Sequence, residues 1–126
     1  YLFIRLPSGR VLTYLHPAVD EDGHLSFVGV DQFTKKFQRI KTYSGKLAEN
    51  VTSGFARDVL FYHIPDIEKA GYPIISRVHD EFICECPDMP EYSARKLADM
   101  MATPHKWCSD MPLAAAGFEA HRYRKD

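Results

Sequence analysis

The chain has 126 residues and is 45% hydrophobic and 13% aromatic, which is enough for one ordinary domain with a core and excludes a disordered or low-complexity chain. Its formal net charge is −1, so bulk charge names no partner. No apolar run approaches the ~20 residues of a membrane span, and no membrane partner is expected.

In chain order, residues 2–6 and 11–15 are apolar, β-compatible runs joined by Pro7-Ser8-Gly9, which is turn chemistry and predicts a hairpin. The first run, YLFIRL, has no initiator Met, so a truncated or processed start is expected. A loop is expected over residues 16–23, with Pro17 and the adjacent acids Asp20, Glu21 and Asp22. Residues 25–30 and 37–43 read as a second strand pair.

The longest helical pattern runs from Gly45 to about His63, with Leu47, Val51, Phe55 and Val59 recurring every four residues. Ser44 is its expected N-cap. Pro65 should kink or end the helix, and Gly71 should stop any continuation. A second hairpin is expected from residues 74–78 and 82–86, a surface helix from 90–101, a short helical turn at 104–107 and a last strand over 112–123. The fold class is therefore α+β: an antiparallel sheet of β-hairpins with two main helices on one face, in a single domain spanning residues 1–126.

Three cysteines, Cys84, Cys86 and Cys108, lack the paired spacing of a zinc site. Their odd number and the lack of a signal-peptide pattern lead to an expected reducing interior and buried free thiols. Cys84 and Cys86 should share one face of their strand.

Two patterns bear on chemistry. On the long helix, Lys46, Asn50, Ser53 and Arg57 fall at i, i+4, i+7 and i+11, with Glu49 breaking the stripe. By pattern alone this is first of all a solvated helix face. The alternative is a rail along nucleic acid, with Lys and Arg on phosphates and Asn and Ser on sugars or base edges. Residues 32–48 add Lys35, Lys36, Arg39 and Lys41 without any acid. Gly54 inside the helix costs ~1 kcal/mol relative to Ala, which suits either a close approach by another backbone or a ligand, or a tolerated defect. The second pattern is Arg77 to Cys86, RVHDEFICEC. Tight hairpins favour Asn-Gly or Asp-Gly, and this one offers His79, Asp80 and Glu81 instead. A solvated polar loop explains such a tripeptide; so does a pair of carboxylates suited to a hard cation such as Mg²⁺.

Taken in order, KTYSGKLAENVTSGFARDVL and AGYPIISRVHDEFICECP resemble the C-terminal part of the palm of family A DNA polymerases, particularly the DNA polymerase I-like enzymes of phages and prophages. Those enzymes show a Tyr-Gly-Gly-Lys-Leu opening to a long helix, then Glu-Asn and Ala-Arg-Asp, then Gly-Tyr-Pro and a His-Asp-Glu hairpin. The matching residues here are Tyr43, Gly45, Lys46, Leu47, Glu49, Asn50, Ala56, Arg57, Asp58, Gly71, Tyr72, Pro73, His79, Asp80 and Glu81. IRLPSGRVLTY and residues 113–125 extend the resemblance over almost the whole chain. Ser44 stands where a second glycine is usual, Ser53 where a glutamine is, and Phe37 where a tryptophan is.

The resemblance implies a DNA-directed DNA polymerase acting in the cytoplasm of a bacterial or phage-infected cell. It implies that Asp80 is a catalytic and metal-holding carboxylate and Glu81 an auxiliary one, both toward Mg²⁺. His79 would lie near the primer terminus, and Lys46, Asn50, Ser53 and Arg57 would follow the primer–template minor groove. Primer–template DNA and dNTP would be the partners of the intact enzyme. Upstream palm, fingers and thumb are not found in the chain, so the segment alone is expected to be inactive and to self-associate through an exposed sheet edge. The alternative is a stand-alone nucleic-acid-binding module without catalysis; an unrelated hydrolase using His79, Asp80 and Cys84 ranks last.

Overall fold

The computed structural model describes residues 1–124. They form two compact units, one over Tyr1–Ala56 and one from Arg57 onward. The α+β class is as expected.

In the first unit, β1 (Leu2–Arg5) and β2 (Val11–Val19) pair antiparallel from Leu2↔Tyr14 to Arg5↔Val11. The turn between them closes with Leu6 N–H donating to the Arg10 carbonyl at 2.8 Å and Gly9 N–H to the Leu6 carbonyl at 2.9 Å. Leu6 itself is 2% exposed and anchors the unit.

β2 runs four residues past its expected end. Pro17 does not break it, because the strand changes partner there. Up to Tyr14 it pairs with β1; from Leu15 on it pairs with β3 (Leu25–Val30), Leu15↔Val28 and then Ala18↔Ser26. That shift leaves His16 and Pro17 facing the one residue Phe27, a β-bulge, the place where a proline without an N–H is tolerated. His16 takes φ 45, and Arg39 Nη1 ties the bulge by donating to the His16 carbonyl at 3.2 Å and to Ser26 Oγ at 3.1 Å. The expected loop over 16–23 therefore shrinks to the turn after Val19.

β3 pairs with β4 (Phe37–Thr42) from Leu25↔Thr42 to Val30↔Phe37, giving a four-stranded sheet in the order β1-β2-β3-β4. In the connection, Asp31 Oδ1 accepts from Thr34 N at 2.7 Å and Phe33 N at 3.0 Å. The Thr34 bond above all holds the Asp31 carboxyl below its ordinary pKa, against a smaller opposing effect of desolvation.

Helix α1 (Ser44–Tyr62) starts at Ser44 itself, where a cap was expected, with Leu47 N–H bonded to the Tyr43 carbonyl at 3.1 Å. It ends before Pro65. The proline instead sits in the first turn of a new helix, α2 (Ile64–Lys69), where its missing N–H has no partner to lose.

Gly71 stops α2 as expected. Its φ is +88, Tyr72 N–H reaches the Ile67 carbonyl at 3.2 Å, and Gly71 N–H reaches the Glu68 carbonyl at 3.0 Å, the paired bonds of a Schellman cap. The Glu68 carboxylate then accepts from Ile74 N at 2.9 Å and fixes the start of β5.

β5 (Ile74–Val78) and β6 (Glu81–Cys84) form a two-stranded sheet, with Ile75 bulged out between Ile74↔Cys84 and Ser76↔Ile83. Glu81 belongs to the strand, not to the turn. Ile67, Tyr72 and Phe82 make the core of this unit, with Ile74, Cys84, Cys86, Leu97, Met100 and Met101 packed on it. Cys84 and Cys86 thus pack on the same core, but β6 ends at Cys84, short of the expected residue 86, so Cys86 lies beyond the strand.

Helix α3 (Ala94–Met101) is shorter than the expected 90–101. Ser93 caps it, Oγ accepting from Lys96 N at 3.2 Å, so the preceding residues form a turn. The Tyr72 hydroxyl accepts from Ser93 N at 3.2 Å and holds that cap against the core. A single 3₁₀ turn follows at Lys106–Cys108.

The strand expected over residues 112–123 is absent: they lie in no helix or strand. Ala114, Ala115, Ala116 and Gly117 carry little β-propensity. The segment is tied instead by Glu119, whose carboxylate accepts from Ala94 N at 2.7 Å. Lys125, part of the C-terminal resemblance, lies outside the described residues.

Candidate functional site

The hairpin β5–β6 carries the first group. Val78 pairs with Glu81, so His79 and Asp80 alone make the turn. His79 takes φ 53, a left-handed conformation in which glycine or asparagine is ordinary. His79, Asp80 and Glu81 are all exposed. Phe82, next in the strand, is buried in the unit's core and anchors the tip. The hairpin therefore presents two carboxylates to solvent, Asp80 from the turn and Glu81 from the start of β6. Chemically they offer hard oxygen donors for a cation such as Mg²⁺. Within the described residues no third His, Cys, Asp or Glu ligand joins them.

The polar stripe of α1 is not a row of free side chains. Lys46 Nζ donates to Glu49 Oε1 at 2.8 Å, and that bond raises the Lys46 pKa from its ordinary value. Asn50 is half-buried, and its Nδ2 donates to the Tyr14 hydroxyl at 3.1 Å. Tyr14 is buried, its ring edge-on to Phe27 with centroids 5.0 Å apart. Ser53 is exposed and, with Asn50 and residues 11–14 of β2, lines an open recess of about 420 Å³. A short serine leaves that space open. Gly54, one residue on, is buried and meets Leu6, while its carbonyl accepts from Arg10 Nη2 at 2.9 Å. The packing at Gly54 is close, but it is against the side chains of Leu6, Arg10 and Leu12 and not against another backbone or a ligand.

Arg57 is exposed and belongs to the second unit. Its guanidinium carbon lies 4.8 Å from the centroid of the Phe61 ring, one helical turn on. Arg77 of β5 stacks on the same ring at 4.5 Å. Spacing on the helix predicted Arg57; nothing in the local pattern marked Arg77 as its neighbour.

One further cluster was only half legible. Asp20, Asp22 and His24 bring one ligand atom each within 4.8 Å of one another. The acids stood out in sequence; His24 did not. The geometry is that of a capped loop: Asp20 Oδ1 accepts from Asp22 N at 3.1 Å and His24 N at 2.7 Å, and His24 Nδ1 lies 3.1 Å from Asp20 Oδ2. The cluster is fully exposed.

Two histidines, His63 and His105, are buried with ring centroids 4.1 Å apart. His105 Nε2 donates to the Val59 carbonyl at 3.0 Å, while His63 Nε2 has no hydrogen-bond partner among the described residues. Burial first, and the neighbouring His105 second, push the His63 pKa down, with Asp66 opposing. Burial pushes the Cys84 thiol up to about 11, helped by Cys86 and Glu68. That is the wrong direction for a nucleophile.

Comparison with known proteins supplies one relative. The DNA polymerase of Bacillus phage SP02 is 35% identical to this chain over 129 residues. The match covers 99% of this chain and 20% of the relative, so the chain spans about a fifth of that protein's length. The resemblance to a phage DNA polymerase, read first from the motifs, is borne out. No family model and no solved structure matches the chain. No helix among the described residues is long and apolar enough to cross a membrane.

Proposed function

We propose that this chain is the C-terminal palm portion of a family A, phage-type DNA polymerase, and that it contributes part of the site where a primer is extended. The observation that carries the proposal is the β5–β6 turn. Two exposed carboxylates, Asp80 and Glu81, are held at the tip of an anchored hairpin by a histidine in a left-handed conformation. Turn chemistry alone favours glycine or asparagine there, and residues held in sparsely populated backbone conformations concentrate at functional sites.

In the whole enzyme the reaction is attack of the primer 3′-hydroxyl on the α-phosphate of a dNTP, with release of pyrophosphate. Asp80, with Glu81 as the auxiliary acid, would hold Mg²⁺, which supplies neutralisation of phosphate charge when bound. Two such ions need more oxygen ligands than one Asp and one Glu, so this hairpin supplies only part of the site. His79 sits beside them to contact the primer backbone. Arg57 binds phosphate, and Ser53 and Asn50 face the minor groove, Asn50 through the amide oxygen left over from its bond to Tyr14. Lys46 reaches DNA only by exchanging Glu49 for a phosphate. Association of the isolated segment with itself through β1 or β4, the two edges of the larger sheet, is part of the same reading.

The test is Asp80→Asn in the polymerase that carries this segment. The substitution keeps size and removes charge. Single-turnover primer extension should slow by orders of magnitude, while primer–template affinity stays level or rises. Glu81→Gln should be milder. Full activity in Asp80→Asn would remove this hairpin from the catalytic centre.

A further inference from the structure

From the stacking of two guanidiniums on one phenyl ring, we infer that Arg57, Phe61 and Arg77 form a phosphate-binding clamp, with Arg77 a second backbone contact and Phe61 a positioning residue. The inference rests on the polymerase reading and adds two residues to it.

Arg57 and Phe61 are one turn apart on α1; Arg77 comes from β5, two residues before the His79–Asp80 turn. Both guanidinium carbons lie within 5 Å of the Phe61 centroid. Phe61 is half-buried, so the platform is held by the unit, while both arginines are exposed. Neither has a carboxylate partner among the described residues.

Three consequences follow from chemistry. A guanidinium held over a ring by cation–π attraction does not commit its N–H donors to a carboxylate, so they can fork onto phosphate oxygens. Stacking also removes rotamer freedom before binding, which lowers the entropic cost of the contact. Lastly, the two cations sit no more than about 10 Å apart, about one screening length in 0.1 M salt, so they repel until an anion lies between or across them. The anion with the right chemistry is a phosphodiester. Arg77 stands on the strand leading into the acidic tip, so a backbone gripped there runs beside the proposed catalytic carboxylates. Fixed cations on the same hairpin would offset the tip's own negative charge as a polyanion approaches.

The test is a titration of fluorescent primer–template DNA onto the polymerase that carries this segment, repeated over a series of KCl concentrations. Each phosphate contact contributes about 0.9 to the slope of log K against log salt for duplex DNA. Arg77→Gln should therefore flatten the slope by about 0.9 and weaken binding most at low salt. Arg57→Gln should do the same, and the double variant about twice as much. Phe61→Leu keeps both charges and removes the platform: affinity should fall, and Phe61→Tyr, which restores an aromatic face, should recover it. In the background of Arg57→Gln and Arg77→Gln together, Phe61→Leu should have no further effect, an outcome that a purely structural role would not produce. Wild-type slope and affinity in Arg77→Gln, in an enzyme that binds and extends primers, overturns the clamp alone. An unsubstituted protein that neither binds DNA nor extends primers overturns the polymerase reading and the clamp with it.

Discussion

Replacing Gly54 with alanine sets two effects against each other. In an exposed helix interior the change would stabilise by about 1 kcal/mol, because alanine loses less backbone entropy. Gly54 is not exposed. A Cβ there would lie 3.1 Å from Leu6 Cδ1, 3.2 Å from Arg10 Nη2 and 3.6 Å from Leu12 Cδ2. Arg10 is exposed and can move, at the expense of its 2.9 Å bond to the Gly54 carbonyl. Leu6 cannot move easily: it is 2% exposed, and the turn bonds at its N–H and carbonyl hold its backbone. Overpacking of a tight site costs about 1–3 kcal/mol. The packing cost should win, leaving Gly54→Ala less stable by about 1 kcal/mol. Urea denaturation followed by circular dichroism measures this. Ser53→Ala, one residue away and exposed, is the control and should stabilise by a few tenths to about 0.5 kcal/mol on propensity alone. If Gly54→Ala also stabilises by about 1 kcal/mol, α1 does not press on Leu6 and the reasoning is refuted.

Gly71→Ala should cost about 1–3 kcal/mol in the same assay, since φ is +88 and the new Cβ would sit 3.2 Å from the Tyr92 ring. His63 gives a pH dependence of definite sign. Its folded pKa lies below the ordinary 6.5, so the folded state binds fewer protons; its contribution is complete above 6.5 and is lost as pH falls below that value. Thermal unfolding between pH 7.5 and 5 should show this loss, and His63→Gln should reduce the slope. Cys84 should resist alkylation: with its pKa pushed to about 11, thiolate is about a hundredfold scarcer than for an ordinary cysteine. Iodoacetamide labelling at pH 8, read by peptide mass spectrometry with and without denaturant, checks it; equal rates in both would contradict the burial.

The elements that local rules govern were legible from the residues alone. Apolar, β-compatible runs and the Pro-Ser-Gly turn located β1 and β2, four-residue periodicity located α1, and Gly71 marked the end of α2. The acidic tip was visible because His79-Asp80 breaks a turn preference that needs no tertiary information to state. Features set by distant partners were not legible. Pro17 reads as a strand breaker until β3 supplies a bulge for it to occupy. Asn50 reads as a free groove-facing amide until Tyr14, 36 residues earlier, takes one of its donors. Arg77 reads as an ordinary strand residue until folding brings it to the ring on which Arg57 already rests. Residues 112–123 read as a last strand, but they lie in no helix or strand. Backbone preference is settled within a few residues, by sterics and periodicity. A side chain's partner is settled by packing across tens of residues, and so is whether a polar group meets solvent, its own helix or a neighbouring strand; those contacts exist only once the chain has folded.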